Sequence, residues 1–368
     1  MNSTWGKKIR LSLFGESHGP AIGIVIDGLP PGLRLDFGKI NKQMARRAPG
    51  KSKYATPRAE ADRYEIISGL YDGTTTGAPL CCVIANTNTR SKDYENIARA
   101  MRPGHSDYPA FVKYKGFNDI RGGGHFSGRL TAPIVFAGSI CRQLLEKKNI
   151  HIYAHIAQIG DVKDRPFQQL GGTDYTALED KSFCVIDDAQ GEKMMERIEQ
   201  ARQSQDSVGG CVEGLIDSLP AGLGNPVFES VESVLAGLLF SIPAVKGVSF
   251  GDGFAAAGQR GSASNDAFYY EQGAVKTKTN HCGGILGGIT NGMPVHFHTA
   301  FKPTPTISQP QQTVDVRTGQ NVELCAQGRH DPCVVVRAVA VVEAVAAIAA
   351  TELLLEAGEP IYGLGTDA

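Results

Sequence analysis

The chain has 368 residues, 42% hydrophobic and 20% charged, with 37 basic and 38 acidic side chains and 44 glycines, above the usual glycine share of about 7%. A chain of this size buries about three quarters of its unfolded surface, which excludes disorder and a small fold held by disulfides. The formal charge of −1 excludes the broad cationic footprint of a nucleic-acid or membrane-surface binder, so any anion site must be local.

The opening residues, MNSTWGKKIRLSLFGESHG, lack the apolar stretch and cleavage site of a signal peptide. A cytoplasmic location is therefore expected. Eight scattered cysteines without a CxxC pair read as reduced thiols packed in the interior.

In chain order, Lys8–Phe14 and Ile22–Asp27 read as strands joined by the turn Gly15-Glu-Ser-His-Gly19. Phe37–Ala45 has helical spacing. Arg46–Arg63 reads as a basic loop carrying Arg46, Arg47, Lys51, Lys53 and Arg58 in thirteen residues without an acid. Strands are predicted at Glu65–Ser68 and Leu80–Ala85, and Asn86–Lys115 reads as a long polar loop interrupted by Pro103 and Pro109. Loops of that length inside a compact protein usually build sites.

The run Arg121-Gly-Gly-Gly-His-Phe-Ser-Gly-Arg129 leads into a predicted helix over Ala132–Lys147, so a glycine loop feeds a helix N-terminus that can receive an anion. Further strands are expected at Ile152–Ile159, Gly210–Asp217, Gly247–Phe250 and Met293–Ala300, with helices near Glu192–Gln203 and Phe228–Phe240 and a Gly/Ser-rich loop over Gly251–Lys278. Asp331 and Pro332 stand where an N-cap and first helical residue belong, opening a long apolar C-terminal helix. That helix carries Arg337, Glu343 and Glu352, which favours a buried core helix over a membrane span.

Several motifs compete for the chemistry. Gly15-Glu-Ser-His-Gly19 fits the nucleophile elbow G-x-S-x-G, which makes a serine hydrolase using Ser17 the alternative function, but a strand-like run follows where the elbow needs a helix. Gly251-Asp-Gly-Phe-Ala-Ala256 fits a relaxed dinucleotide fingerprint without its helix. His151 with His155, and His296 with His298, have metal-pair spacing, yet no carboxylate stands nearby in sequence and no metal site is expected. Arginine, histidine and carboxylate recur on four separate loops around Arg47, Arg102–Asp107, Arg121–Arg129 and Arg329–Asp331, a pattern suited to a polyanionic small substrate with proton transfer nearby.

Those residues resemble one family across nearly the whole chain, the chorismate synthases. The matching motifs are Gly15-Glu-Ser-His-Gly19, Asp27-Gly-Leu-Pro-Pro-Gly32, Arg47-Ala-Pro-Gly50, Asp72-Gly-Thr-Thr-Thr-Gly77, Arg102-Pro-Gly-His105, Arg121-Gly-Gly-Gly124, Ser241-Ile-Pro-Ala-Val-Lys-Gly247, Gly283-Gly-Ile-Leu-Gly-Gly288, Lys302-Pro-Thr304 and Gly328-Arg-His-Asp-Pro332. The resemblance implies a phosphate lyase that forms chorismate from 5-enolpyruvylshikimate 3-phosphate by 1,4-anti elimination, using reduced flavin mononucleotide with NADPH as a reductant. It also implies a homotetramer and an α/β chain of α+β type. Its antiparallel-rich sheets would form a β-α-β sandwich-like architecture covered by helices, as one intertwined domain over 1–368 with a trace of two-lobed duplication.

Position by position, the resemblance makes His18, His105 and Asp331 the catalytic groups. His18 would serve as acid to the departing phosphate, His105 would stabilise or protonate the flavin, and Asp331 would manage the proton at flavin N5. Arg47, Arg129 and Arg329 would hold substrate. The expected cofactor contacts are Arg47, Lys53, His125, Phe126, Ser127, Pro243, Ala244, Gly287, Lys302, Pro303, Thr304, Pro305, Thr306 and Arg329. Two positions depart from the commoner family pattern. His125-Phe-Ser-Gly-Arg129 replaces Arg-Ser-Ser-Ala-Arg, and Ala340 stands where many members have proline, whose loss should straighten the last helix.

Overall fold

A computed structural model describes residues 3–50, 62–87, 99–325 and 331–359. The chain begins with strands β1 (Thr4–Trp5), β2 (Arg10–Gly15) and β3 (Ala21–Asp27), helix α1 (Phe37–Arg47), strand β4 (Tyr64–Ser68), the short hairpin β5 (Leu70–Tyr71) and β6 (Thr74–Thr75), and strand β7 (Leu80–Ala85). Helices α2 (Asp107–Tyr114) and α3 (Thr131–Glu146) follow. Next come β8 (His151–Ile159), β9 (Val162–Lys163), α4 (Asp188–Gln203), β10 (Gly210–Asp217), α5 (Val231–Leu239) and β11 (Val245–Phe250). The last third holds the four-residue α6 (Gly261–Ser264), the hairpins β12 (Phe268–Glu271) with β13 (Ala274–Thr277) and β14 (Ile285–Leu286) with β15 (Ile289–Thr290), and strand β16 (Val295–Phe301). The hairpin β17 (Gln311–Asp315) with β18 (Gln320–Leu324) and helix α7 (Val335–Glu356) complete it.

Two five-stranded sheets dominate, in the orders β1-β2-β3-β7-β4 and β11-β16-β10-β8-β9, and all their strand pairs are antiparallel. Helix α3 packs on the first sheet, α7 packs on the second, and the two helices pack on each other. The fold is thus α+β, with α3 and α7 layered between the two antiparallel sheets, and α4 and α5 also packing on the second sheet.

This arrangement follows from the sequence of α7. A helix that is apolar all round must be buried all round, and 18 of its 22 residues are buried. It is long and apolar enough to cross a membrane, yet its apolar surface is already enclosed within the protein.

Its charges are individually met. Glu343 pairs with Arg46 and Arg142. Glu352 accepts backbone N–H bonds from Lys7 at 2.7 Å, Lys8 at 3.0 Å and Ile9 at 2.7 Å. Burying these carboxylates without such partners would be costly.

Four sequence expectations change. Helix α2 lies inside the predicted loop 86–115, because Pro109 falls in its first turn, where a missing N–H breaks no helical bond. Helix α7 opens at Val335 without a side-chain cap; the Asp331 carboxylate, expected to cap it, accepts from Arg337 Nη1 at 2.9 Å instead. The predicted loop 251–278 contains a short helix and a hairpin. Helix α5 begins at Val231 rather than Phe228, because Ser230 Oγ accepts from Ser233 N at 3.0 Å and caps it there.

The contact between α3 and α7 depends on Gly138. A Cβ there would lie 2.4 Å from Cα and Cβ of Ala344, so neither helix can accept it without moving. Gly138→Ala is expected to lower the unfolding free energy by about 1–3 kcal/mol, the usual cost of overpacking a core. Urea denaturation of both proteins, with comparison of the midpoints, checks this.

Candidate active site

A cavity of about 680 Å³ opens where the helix ends meet the second sheet. Arg47 comes from the last turn of α1, and Gly122 and His125–Thr131 come from the glycine turn and the start of α3. Phe240–Lys246 link α5 to β11, Phe301 ends β16 with Lys302 next after it, and Asp331, Val334 and Arg337 stand around the start of α7. The cations Arg47, Arg102, Arg129, Lys246, Lys302 and Arg337 line it, and Asp331 is the one carboxylate among the described lining residues. The lining also includes the apolar residues Ile242, Pro243, Val245 and Ala338.

The arginines are fixed from behind. The buried carboxylate of Asp62 pairs with Arg47 and, at 3.0 Å, with Arg129 Nη1. Arg47 also donates to Gly128 O at 3.0 Å and Thr131 Oγ1 at 3.1 Å. Arg129 donates to Ala85 O at 3.1 Å and to the side chain of Asn86, whose Nδ2 donates in turn to Glu16 O and Gly19 O. Burial pushes the Arg47 guanidinium down to about 10, an effect that Asp62 opposes and the nearby Arg337 and Arg129 reinforce. It remains charged at neutral pH.

A second cluster orients His105. The carboxylate of Asp107 accepts from Arg102 at 2.7 and 2.8 Å and lies 2.6 Å from His105 Nδ1. Burial would raise the Asp107 carboxyl, but hydrogen bonds from Arg102 and His105 outweigh it and hold the group well below the usual carboxylate range. An ionised Asp107 makes Nδ1 the protonated ring nitrogen. His105 Nε2 is then left on the side of Gly123, where an added Cβ would lie 3.5 Å away.

His18 is buried just behind the cavity wall. A Cβ on Gly122 would come within 2.4 Å of His18 Cδ2 and 2.8 Å of Ser17 Oγ, so glycine alone separates this turn from the cavity. Gly122, Gly123 and Gly124 all have positive φ, a backbone path that residues with side chains adopt at a cost. Ala244 also lies in the left-handed region at φ 74°, a strained position of the kind that persists where a site requires it.

The structure gathers Arg47, His105, His125, Phe126, Ser127, Arg129, Pro243, Ala244, Lys302, Thr304, Pro305, Thr306 and Asp331 around this one cavity. Pro303 is not among the lining residues and stands against Gly209. Gly287 sits in the β14–β15 turn, outside the lining. Lys53 and Arg329 lie outside the described residues. Arg46, read from sequence as part of the anion trap, faces Glu343 in the interior instead.

The departing residue His125 bonds Gly15 O through Nδ1 at 2.8 Å and Ser3 Oγ through Nε2 at 3.0 Å, so it ties the glycine turn to the N-terminal sheet. Sequence reasoning missed Asp62, Asn86 and Arg337 as parts of the site. It gave Arg102 and Asp107 no role of their own, although the ion-pairable spacing Arg102–Asp107 was a usable signal. Ser17, the elbow candidate, has a buried hydroxyl with no hydrogen-bond partner and sits between two strands. A serine nucleophile needs a base within hydrogen-bond reach, and the described structure supplies none, so the hydrolase alternative is withdrawn.

A cationic cavity with apolar lining, an oriented imidazole and a carboxylate has the make-up of an acid–base enzyme site for an anionic ligand. The comparisons with known proteins agree. The family model described as chorismate synthase matches residues 9–355. The chain is 46% identical over 363 residues to the chorismate synthase of Dehalococcoides mccartyi, covering 97% of this chain and 98% of that one. It is 48% identical over 352 residues to that of Pyrococcus abyssi, covering 95% and 97%. A crystal structure of chorismate synthase superposes with a TM-score of 0.76 at 26% identity, covering 96% of this chain and 93% of the other. The chain belongs to the chorismate synthase family.

Asp107→Asn tests the orientation of His105. Turnover is expected to fall about 10- to 100-fold, part of the usual worth of a positioned acid–base group, and nitrogen NMR should show the ring proton no longer confined to Nδ1. Because the native carboxyl is depressed, its contribution to stability is present above the ordinary value of 3.8 and is lost as pH falls below it. Acid unfolding of Asp107→Asn, followed by circular dichroism, should accordingly show a shallower dependence on pH below about 4.

Proposed function

We propose that the chain converts 5-enolpyruvylshikimate 3-phosphate to chorismate by 1,4-anti elimination of the 3-phosphate and a C6 hydrogen, with reduced flavin mononucleotide bound beside the substrate. The observation that carries this reading is the convergence of Arg47, Arg129, His105 and Asp331, distant in sequence, on one cationic cavity. Its volume falls in the range of small-molecule sites. The side chains suit a phosphorylated flat ring system: Thr304 brings to the lining a buried hydroxyl without a partner, Lys302 and Lys246 supply charge, and Pro243, Ala244 and Val245 offer an apolar face.

Reduced flavin, when bound, supplies a transient electron that is returned, so the reaction has no net redox change. The protein's residues do the rest. Arg47 and Arg129 hold substrate anions with guanidiniums already fixed by Asp62, so little ordering remains to be done on binding. His18 acts across Gly122 as acid to the leaving phosphate. His105, with Nδ1–H held by Asp107, presents Nε2 to stabilise or protonate the reduced flavin. Asp331, held by Arg337, manages the proton at flavin N5 and so assists removal of the C6 hydrogen. The apolar lining excludes water from these transfers.

Arg329 and Lys53 are assigned to substrate and cofactor anions from the family resemblance alone, as are the flavin contacts of Gly287 and Pro303. The same resemblance supports a cytoplasmic homotetramer working as one catalytic unit, with NADPH as reductant.

An anaerobic assay with the phosphorylated substrate and chemically reduced flavin mononucleotide tests the proposal. Phosphate and chorismate absorbance should appear in equal amounts, and folded protein that turns nothing over overturns it. Oxidised flavin with NADPH, as a second arm, reads whether the protein reduces its own flavin. Arg47→Ala is expected to raise KM about 10- to 100-fold, the worth of a charged hydrogen bond, and to flatten the salt dependence of binding. Ser17→Ala should keep its activity while His18→Ala and His105→Ala lose it.

A further inference from the structure

The second sheet carries a buried polar cluster that the elimination does not use. Glu213 on β10 is the register partner of both His155 on β8 and His298 on β16. His296, two residues from His298, shares its face of β16. Glu213 Oε2 lies 2.6 Å from His155 Nε2, and Oε1 is in hydrogen-bond contact with His296 Nε2 and 3.9 Å from His298 Nε2. The amide of Phe167 donates to the same carboxylate at 3.2 and 3.3 Å. His155 Nδ1 contacts Asp164 at 2.9 Å, and Asp164 in turn accepts from the amides of Ile186 and Asp187.

Two features separate this cluster from an ordinary hydrogen-bonded core. His296 Nδ1 is buried without a partner, whereas interiors normally satisfy such atoms. His298 is partly open to solvent, which gives an ion a way to the otherwise buried pair of Glu213 and His296. One ligand atom each from Glu213, His296 and His298 lies within 4.8 Å of the others. Metal–nitrogen and metal–oxygen bonds of about 2.0–2.2 Å can span such a set.

We propose that Glu213, His296 and His298 form a binding site for a divalent transition metal of the zinc class. Two imidazole nitrogens and one carboxylate oxygen hold the ion, and water enters on the open side of His298. The ion takes a lone pair from each neutral imidazole, the His296 ring proton passing to the nitrogen that does not bind it, so no proton leaves and no oxidation state changes. His155, braced by Asp164, holds the other carboxylate oxygen in the manner of an outer-shell partner. The histidine pair alone did not reveal this site because its carboxylate comes from a strand 83 residues away from His296.

The test uses tag-free, full-length protein stripped with a chelator. Titration with Co(II) should give one saturable equivalent and a visible absorption band of tetrahedral intensity. Zn(II) calorimetry should give the same single equivalent. His298→Ala should lose the band and bind Zn(II) more than tenfold more weakly, with circular dichroism and turnover unchanged. Glu213→Gln and the conservative His298→Gln are the supporting variants should the alanine variant fold poorly. Absence of saturable binding to the wild-type chain overturns the proposal. So does binding that survives undiminished in the folded His298 variants.

Discussion

The structure depends on the burial of α7. A helix apolar on every face has to be enclosed, and the two antiparallel sheets enclose it together with α3. Each charged group on it then needs a partner brought from elsewhere: Arg46 and Arg142 for Glu343, and three backbone amides for Glu352. Arg337 bonds both Asp331 and the carbonyl of Arg47, and Glu356 at the helix end pairs with Lys7 at 3.1 Å. The helix at the centre of the core therefore also sets the position of the cavity's carboxylate. The core and the cavity meet in one element, which accounts for a cavity lined by residues so far apart in the chain.

The cavity's electrostatics have the same economy. Asp62 serves two arginines, so the buried trio retains a net positive charge directed at the cavity while neither guanidinium is free to wander. Asn86 then links Arg129 to the turn that holds His18. A charge fixed before the ligand arrives stabilises developing negative charge without reorganisation. The cluster of Arg102, Asp107 and His105 applies the same logic to a proton donor or acceptor.

Much of this was legible in the sequence where one local pattern decides the outcome. Strands Leu80–Ala85 and Gly210–Asp217 alternate and end in turn residues, and the structure has them at those bounds. The four loops rich in arginine, histidine and carboxylate were visible as chemistry without a partner list. What was not legible depends on contacts across the fold. Nothing in the neighbourhood of Asp62 announces that it bridges Arg47 and Arg129, and Arg337 reads only as a charge inside an apolar helix. Pro109 looked like a breaker because its position within the first turn of α2 is known only once the helix start is known. Asp331 had every local sign of a helix cap, and a side chain six residues on claimed it.

The seat of Glu352 also constrains how the chain can be made. Its carboxylate holds the amides of Lys7, Lys8 and Ile9 across as many as 345 residues of sequence, so the corner before β2 is locked by a segment far along the chain. Until α7 is released, α3 and the strands β8 and β10 that it packs against have no permanent cover. Closure of contacts so distant is slow and leaves apolar strands open to wrong partners. The arrangement that gives the enzyme its shared core and site thus ties the completion of its fold to the docking of α7.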